Sequence, residues 1–446
     1  MLNLHISRIS AIAIAIAALS NGSAMAAENL YGGGATFPAE PYVGHDYASV
    51  TPNARLSTNA GNTAGAGYTT APLGTNLIGF AFPVTVNSVF LAYSNASTNK
   101  VSYCQTGSAF GKNVLAGNPA ANQPCRDFSV PPLGLSAAAA APDFIATDAP
   151  YSTADYNAFL SGGNAASRVG IVQVPTLAGA IALPHSTPTT NFNLTAAQIC
   201  QIYSGLVSDW ASVSGSGTFG PIKIVYRADG SGTTLAFTSY LARTCNGTPN
   251  VPSGFVFTPH HSFNLALPGS ISSVYGSRAI GANGDNGLVT AVRVTNANAL
   301  GYAGIGEVLL QAAKYATVAN FDPKNFGKDS SGNSVPVTLT ASTLLAGRVL
   351  DGATVNTVPG SGTSAVKSCV RLMNPAAPIS NAYPIAAITY LAGFTNGNGS
   401  AAHIQAVKDL YNIFYNTSTR PLLPDGFAYL AGITASAQNA VNTCVH

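Results

Sequence analysis

From Ile222 to Ala242 the chain reads IKIVYRADGSGTTLAFTSYLA, and no other stretch restricts the fold as strongly. IKIVYR is strand-like, ADGSG is a tight glycine turn, and TTLAFTSYLA continues as a helix ending near Asn246-Gly247, a C-cap pair. A strand that passes through glycines directly into a helix is the building unit of α/β folds, and the alternation recurs along the chain. Candidate strands are DFIAT (143–147), GIVQVPT (170–176), AGAIALP (178–184), IKIVYR (222–227) and YPIAAIT (383–389). Candidate helices are LTAAQICQIYSG (194–205), with Ile199, Ile202 and Tyr203 on one face, and HIQAVKDLYNIFYN (403–416), with a stripe of Ile404, Val407, Leu410, Tyr411 and Phe414. These stripes are core-packing faces, and the pattern predicts α/β units with mainly parallel sheets.

The 446 residues exceed one ordinary core and suggest about two or three compact units. Hydrophobic residues make up 47%, enough for a folded protein, whereas charged residues make up only 8%. The usual charged share is roughly 25%, so the solvated surface must be built largely from Ser, Thr, Asn, Gln and Gly. Nucleic-acid binding needs clustered Lys and Arg, which a net charge of +3 does not supply, and that partner class is excluded.

Residues 1–26 read as a cleaved signal peptide, with Arg8 as the basic start, Ile9 to Leu19 as the apolar run and Ala24-Met25-Ala26 as the cleavage site. The apolar run is shorter than the roughly 18 residues of a membrane span. No cysteine follows the cleavage site as a lipid attachment point, so the expected location is the periplasm or outside the cell. Six cysteines in an exported chain point to disulfides. Spacing alone does not choose among the possible pairings; adjacency favours Cys104 with Cys125, Cys200 with Cys245, and Cys369 with Cys444. None has C-x-x-C spacing, so no zinc or redox motif is expected. Residues 53–99 are rich in Gly, Ala, Thr and Asn and read as a surface insertion, with a hairpin around the β-like run FAFPVTVNSVFLAY (80–93).

A helix start leaves backbone N–H groups unpaired, and together with the macrodipole they make an anion site. In RADGSGT the glycines allow close approach, Ser231 and Thr233 add hydroxyl donors, and Arg227 supplies a forked charged donor at the strand end. Two further segments have the same grammar. GGGATFPAEPY (32–42) places Thr36 as an N-cap with Pro38 in the first turn, and YCQTGSAFGKNVLAG (103–117) places Ser108 between a glycine and a helix-forming run. DFIATDAPYS (143–152) ends a strand on Asp148. Three helix starts and one carboxylate beyond strand ends suit convergence on one ligand.

Other motifs carry less. GSGTFG (215–220) matches a dinucleotide fingerprint but precedes a strand, and GSAFGKN (107–113) is one residue short of a P-loop. PGSGTSAVK (359–367) lacks an upstream Arg and reads as a surface turn, and His260-His261 reads as a solvated loop rather than a metal site.

The motifs ATFP, YxxxGS, TDAP and RADGSGT stand in the order found in phosphate-binding proteins of high-affinity phosphate ABC transporters, which the chain resembles. LTAAQICQIYSGLVSDWASVSGSGTFGPIKIVYR is similar to the DING family, and NGDNGLVTAV and ALGYAGIGEV extend the likeness over most of the mature chain. Departures are a longer spacing from Thr36 to Ser108 and Glu28-Asn29-Leu30-Tyr31 in place of the D-I-N start.

The resemblance implies the type II periplasmic-binding-protein fold, with two α/β lobes, two hinge crossings and a ligand cleft between the lobes. Residues 27–177 and 385–446 would form lobe 1, with the insertion at 53–99, and residues 178–384 lobe 2. It implies binding of inorganic phosphate by a monomer, delivery to the membrane permease of an ABC transporter, and no metal, cofactor or catalytic residue. Carried over residue by residue, Thr36 and Phe37 resemble the first contact, the latter through its N–H, and Ser108 the second. Asp148 resembles the carboxylate that accepts a proton from the ligand, Arg227 the cationic donor and Asp229 its ion-pair partner. Ser231, Gly232 and Thr233 match the helix-start donors. Two rival readings are a secreted DING-like phosphatase or phosphoesterase, for which Ser108 and Ser231 lack an evident base, and a secreted adhesive or structural protein.

Overall fold

A computed structural model describes residues 28–43, 89–97, 99–105, 107–117, 141–190, 192–375 and 383–446. Residues 1–26, expected to be a signal peptide, most of the 53–99 region and Cys125 lie outside the described residues, and with them the hairpin's first half and the Cys104 with Cys125 pairing.

The larger sheet runs, in order, through Val337–Thr338, Phe427–Ala431, Ile171–Pro184, Ala386–Phe394, Phe144–Thr147, Asn29–Gly34 and Lys100–Gln105. Its Asn29–Gly34 strand is parallel to both Lys100–Gln105 and Phe144–Thr147. A second sheet is wholly parallel, with Lys223–Arg227 between Ala279–Ala282 and Ala299–Leu300. The expectation of mainly parallel pairing fails at the centre of the large sheet, where Ala386–Phe394 runs antiparallel to Ile171–Pro184 and to Phe144–Thr147. Strands buried on both faces read as continuous apolar runs whichever way their neighbours point, so local pattern does not fix direction.

GIVQVPT and AGAIALP are one strand rather than two, Ile171–Pro184, buried along its whole length. Pro175 lacks an N–H for the ladder, and the register accordingly shifts there: Thr389 pairs with Leu177 and Tyr390 with Pro175. The skipped residue, Thr176, gives its hydroxyl to Thr389 O at 3.1 Å and meets Tyr42 Oη at 2.9 Å. The end of the β-like run is also corrected, because Val89–Ser97 is a helix. Val89, Phe90 and Tyr93 are spaced for one helical face and are at most 2% exposed, and Phe90 packs 4.8 Å from the Tyr42 ring.

The predicted helices fall where their stripes place them. Ala196–Tyr203 starts at a capping box of Thr195 and Gln198 and buries Ile199, Cys200, Ile202 and Tyr203. Its Cys200 is bonded to Cys245 at the end of the Gly232–Cys245 helix, and Cys369 is bonded to Cys444 in the last helix, Thr434–Cys444. Closing loops of 45 and 75 residues would stabilise the fold by about 4 kcal/mol each in the chain-entropy account.

His403, at the start of the Ala401–Asn412 helix, ties the first described residue to the large sheet. Its Nδ1 lies 2.9 Å from Glu28 Oε2 and its Nε2 2.8 Å from Asp143 Oδ1. The Asp143 hydrogen bond, against partial burial and with help from Glu28, pushes the imidazole up to about 9. A raised histidine pKa stabilises the fold fully below the unfolded value of roughly 6.5 and ceases to do so as pH rises through the folded value. His403→Gln therefore lowers urea stability at pH 6, and the gap to the wild type closes by pH 10; a gap of equal size at both pH values would show that the charge is not what stabilises.

Candidate functional site

Four loops leave the C-terminal ends of strands on both sheets and meet. Thr36 and Phe37 follow Asn29–Gly34, Ser108 follows Lys100–Gln105, Asp148 follows Phe144–Thr147, and Asp229 to Ser231 follow Lys223–Arg227. Two glycines make the meeting possible. Gly107 sits at φ +98°, where L side chains are strained, and a Cβ there would lie 3.0 Å from Asp229 Oδ2. A Cβ at Gly232 would fall 2.4 Å from that of Asp148, so only glycine lets this helix start reach the carboxylate's backbone.

Arg227 is the hub. It is 2% exposed, donates from Nε and Nη2 to Asp229 at 2.8 and 2.5 Å, and from Nη1 to Asp285 Oδ1 at 2.5 Å and Thr36 Oγ1 at 3.3 Å. A guanidinium has about five N–H donors, so roughly one remains for a ligand. Burial works against the charge, but Asp229 and then Asp285 outweigh it and hold the pKa above the ordinary arginine range. Asp285 is one residue that sequence reasoning missed. It is 1% exposed in the first turn of Gly284–Thr290, its Oδ2 accepts from the Gly304 N–H at 3.0 Å, and its own N–H donates to Thr36 Oγ1 at 3.3 Å. Burial raises its pKa despite the Arg227 charge. Its signal was an acid at a glycine-flanked helix start, inside the already noted NGDNGLVTAV.

The Thr36 N-cap reading is corrected by these bonds. The helix after it begins at Ala39, and the Thr36 hydroxyl serves Arg227 and Asp285 instead. Phe37 is buried edge-on to Phe427, 5.4 Å between centroids, and so fixes the turn. Ser108 is the first residue of the Ser108–Ala116 helix, and its Oγ accepts from the Asp148 N–H at 3.2 Å. Ser231 caps the Gly232–Cys245 helix by accepting from the Thr234 N–H at 3.2 Å, while its own N–H donates to His261 O at 2.9 Å. That leaves the N–H groups of Gly232 and Thr233 as the helix-start donors without an intrahelical acceptor. The His260 and His261 rings are stacked 4.4 Å apart and part-buried, not a freely solvated loop.

Asp148 is 5% exposed, and its Oδ1 is buried without a hydrogen-bond partner. Burial pushes its carboxyl up to about 8; the Thr389 hydroxyl and Arg227 charge oppose the shift without cancelling it, and Asp285 adds to it. The hydroxyl of Thr233 is likewise buried and unpartnered, and that of Thr389 makes no hydrogen bond of good geometry although it is near enough to the Asp148 carboxyl to act on it. Thr389, in the middle of Ala386–Phe394, was read only as part of an apolar strand. One acceptor and several donors are thus left unsatisfied where burial makes this costly, an arrangement that a small ligand with both kinds of group can complete. Arg227 is neutralised by two carboxylates, so the site attracts such a ligand through dipoles rather than net positive charge. Among the described residues no group of three or more His, Cys, Asp or Glu could hold a metal ion.

Comparison with known proteins gives the family. The model of the PBP superfamily domain matches residues 83–409. A phosphate-binding protein from an unknown prokaryotic organism is 33% identical over 126 residues, 28% of this chain and 32% of that protein. Alkaline phosphatase L of Pseudomonas aeruginosa (strain UCBPP-PA14) is 35% identical over 113 residues, 25% of this chain and 29% of the relative. The chain thus spans about a third of the length of these curated relatives. Among solved structures, a high affinity periplasmic phosphate-binding protein (PfluDING) bound with phosphate has a TM-score of 0.56 at 21% identity, covering 93% of each chain. At that identity the likeness shows the fold alone.

Proposed function

Because the chain belongs to the PBP superfamily, with the α/β fold seen in DING proteins, we propose that it binds inorganic phosphate outside the cytoplasm. The reading rests above all on the buried, unpartnered Asp148 Oδ1 beside the Gly232–Cys245 helix start. A phosphate that keeps one P–O–H donates it to Asp148, and its other oxygens accept from the Gly232 and Thr233 N–H groups, the hydroxyls of Ser108, Ser231 and Thr233, and the remaining Arg227 donor. Phe37 offers a further N–H at the turn after Thr36. Asp229 holds the guanidinium rather than the anion.

In this reading residues 27–177 and 385–446 form one lobe, residues 178–384 form the other, and phosphate between them favours closure. The protein acts as a monomer after removal of residues 1–26 and hands phosphate to the permease of an ABC transporter. Measuring phosphate released on denaturing the purified, dialysed protein tests the reading; one phosphate per chain supports it, and none after equilibration with phosphate removes it. A second reading, phosphomonoester hydrolysis, is favoured by the relatives named alkaline phosphatase L. It requires that release of phosphate from 4-nitrophenyl phosphate disappears on substitution of Ser108 or Asp148.

A further inference from the structure

A cavity of about 480 Å³ opens beside Asp148, which lines it, and the phosphate reading uses none of its other lining residues. One wall is a stripe of the Gly232–Cys245 helix, on which Ala236, Tyr240 and Arg243 recur at helical spacing, one to three turns from Gly232. The opposite wall includes Leu372, Met373, Tyr383 and Tyr390. Two of the tyrosine hydroxyls are already engaged: Tyr383 donates to Ile181 O at 2.8 Å, and Tyr390 accepts from the Met373 N–H at 3.3 Å. What these residues offer the cavity is therefore ring and thioether surface, which water solvates poorly. The size falls within the roughly 300–1,000 Å³ of small-molecule sites. Among the described residues lining it Asp148 and Arg243 are the only Asp, Glu, Lys, Arg or His, and Arg243 is exposed, one turn along from Tyr240.

We propose that this cavity is a second ligand site, taking a small molecule with an aromatic or alkyl body and a single anionic group. The body lies against Tyr240, Met373, Tyr383 and Tyr390, and the anionic group meets the Arg243 guanidinium at the rim. Because the helix that lines the cavity starts at Gly232, packed against Asp148, the two sites are neighbours that can be filled together.

The probe is 8-anilinonaphthalene-1-sulfonate, titrated by fluorescence into the full mature chain with saturating phosphate. One saturable site per chain is expected. Ala236→Trp, which fills the cavity, weakens the probe at least tenfold, and Ala386→Trp on the facing strand does the same if the first variant fails to fold. Arg243→Gln weakens this sulfonate about fivefold but leaves the neutral N-phenyl-1-naphthylamine unchanged. Phosphate affinity stays at the wild-type value in the folded filling variant. Probe affinity untouched by either filling variant, equal loss of charged and neutral probes in Arg243→Gln, or competitive displacement of the probe by phosphate would each overturn the assignment.

Discussion

Arg227→Ala lowers the unfolding free energy by about 3–5 kcal/mol, the cost of leaving buried carboxylates without their cation. Asp285 is 1% exposed, and its Oδ1 accepts from the Arg227 guanidinium and its Oδ2 from the Gly304 N–H, so removing Arg227 strands one oxygen. Asp229 retains the Gly284 N–H at 2.9 Å but loses both guanidinium bonds. The same change releases Thr36, which loses its Nη1 donor. Chemical denaturation of the variant measures the loss, and Arg227→Ala combined with Asp285→Asn recovers part of it. If the single variant is as stable as the wild type, the hub is not a structural clamp. Phosphate affinity in any folded fraction falls as well, but by less than a free arginine would imply, because only about one guanidinium N–H remains for the ligand.

Asp148→Asn removes roughly tenfold, about 1.4 kcal/mol, of the preference for phosphate over sulfate at pH 9. The sign follows from the proton inventory. Below a pKa of about 8 the free carboxyl carries its own proton and can donate to either anion. Above it the carboxylate is an acceptor only; phosphate brings a proton to satisfy it, whereas sulfate meets a buried negative charge. Wild-type selectivity therefore rises with pH, with sulfate affinity falling about tenfold per unit beyond the folded pKa while phosphate is retained. In the Asn variant the amide donates at every pH, and sulfate affinity becomes flat. Calorimetric titration of both anions at pH 6 and pH 9 separates these outcomes, and a wild type that rejects sulfate equally at both pH values contradicts the role given to Asp148.

How much of this was legible depended on whether a residue's task was local. The strand, turn and helix at 222–245 could be read because the hydrophobic period changes within a few residues, and observed Lys223–Arg227 and Gly232–Cys245 follow that reading closely. Ser108, Asp148, Arg227 and Ser231 were visible because each ends a strand or opens a helix, where short polar residues have few structural alternatives. Thr36 was found for the wrong reason: as a presumed cap, when its hydroxyl bridges two distant elements. Asp285 and Thr389 were hidden because their partners are brought in by tertiary pairing. Thr389 faces Asp148 only because Ala386–Phe394 lies between Phe144–Thr147 and Ile171–Pro184, a neighbour choice that alternation does not encode. The split between GIVQVPT and AGAIALP was likewise a local reading, and the bulge that makes them one strand belongs to the pairing of two strands more than 200 residues apart in sequence, as Thr176 and Thr389 are at a separation of 213.

The central claim is that Asp148 and the helix start at Gly232 complete their hydrogen bonding with a protonated oxyanion. Isothermal titration of the mature chain, unfolded and refolded to strip bound ligand, with inorganic phosphate at pH 8.5 is the direct measurement. A single saturating site per chain, severalfold tighter than for sulfate at this pH and increasingly so as pH rises, is the predicted result; no saturable heat with phosphate, or equal affinity for both anions, would contradict it.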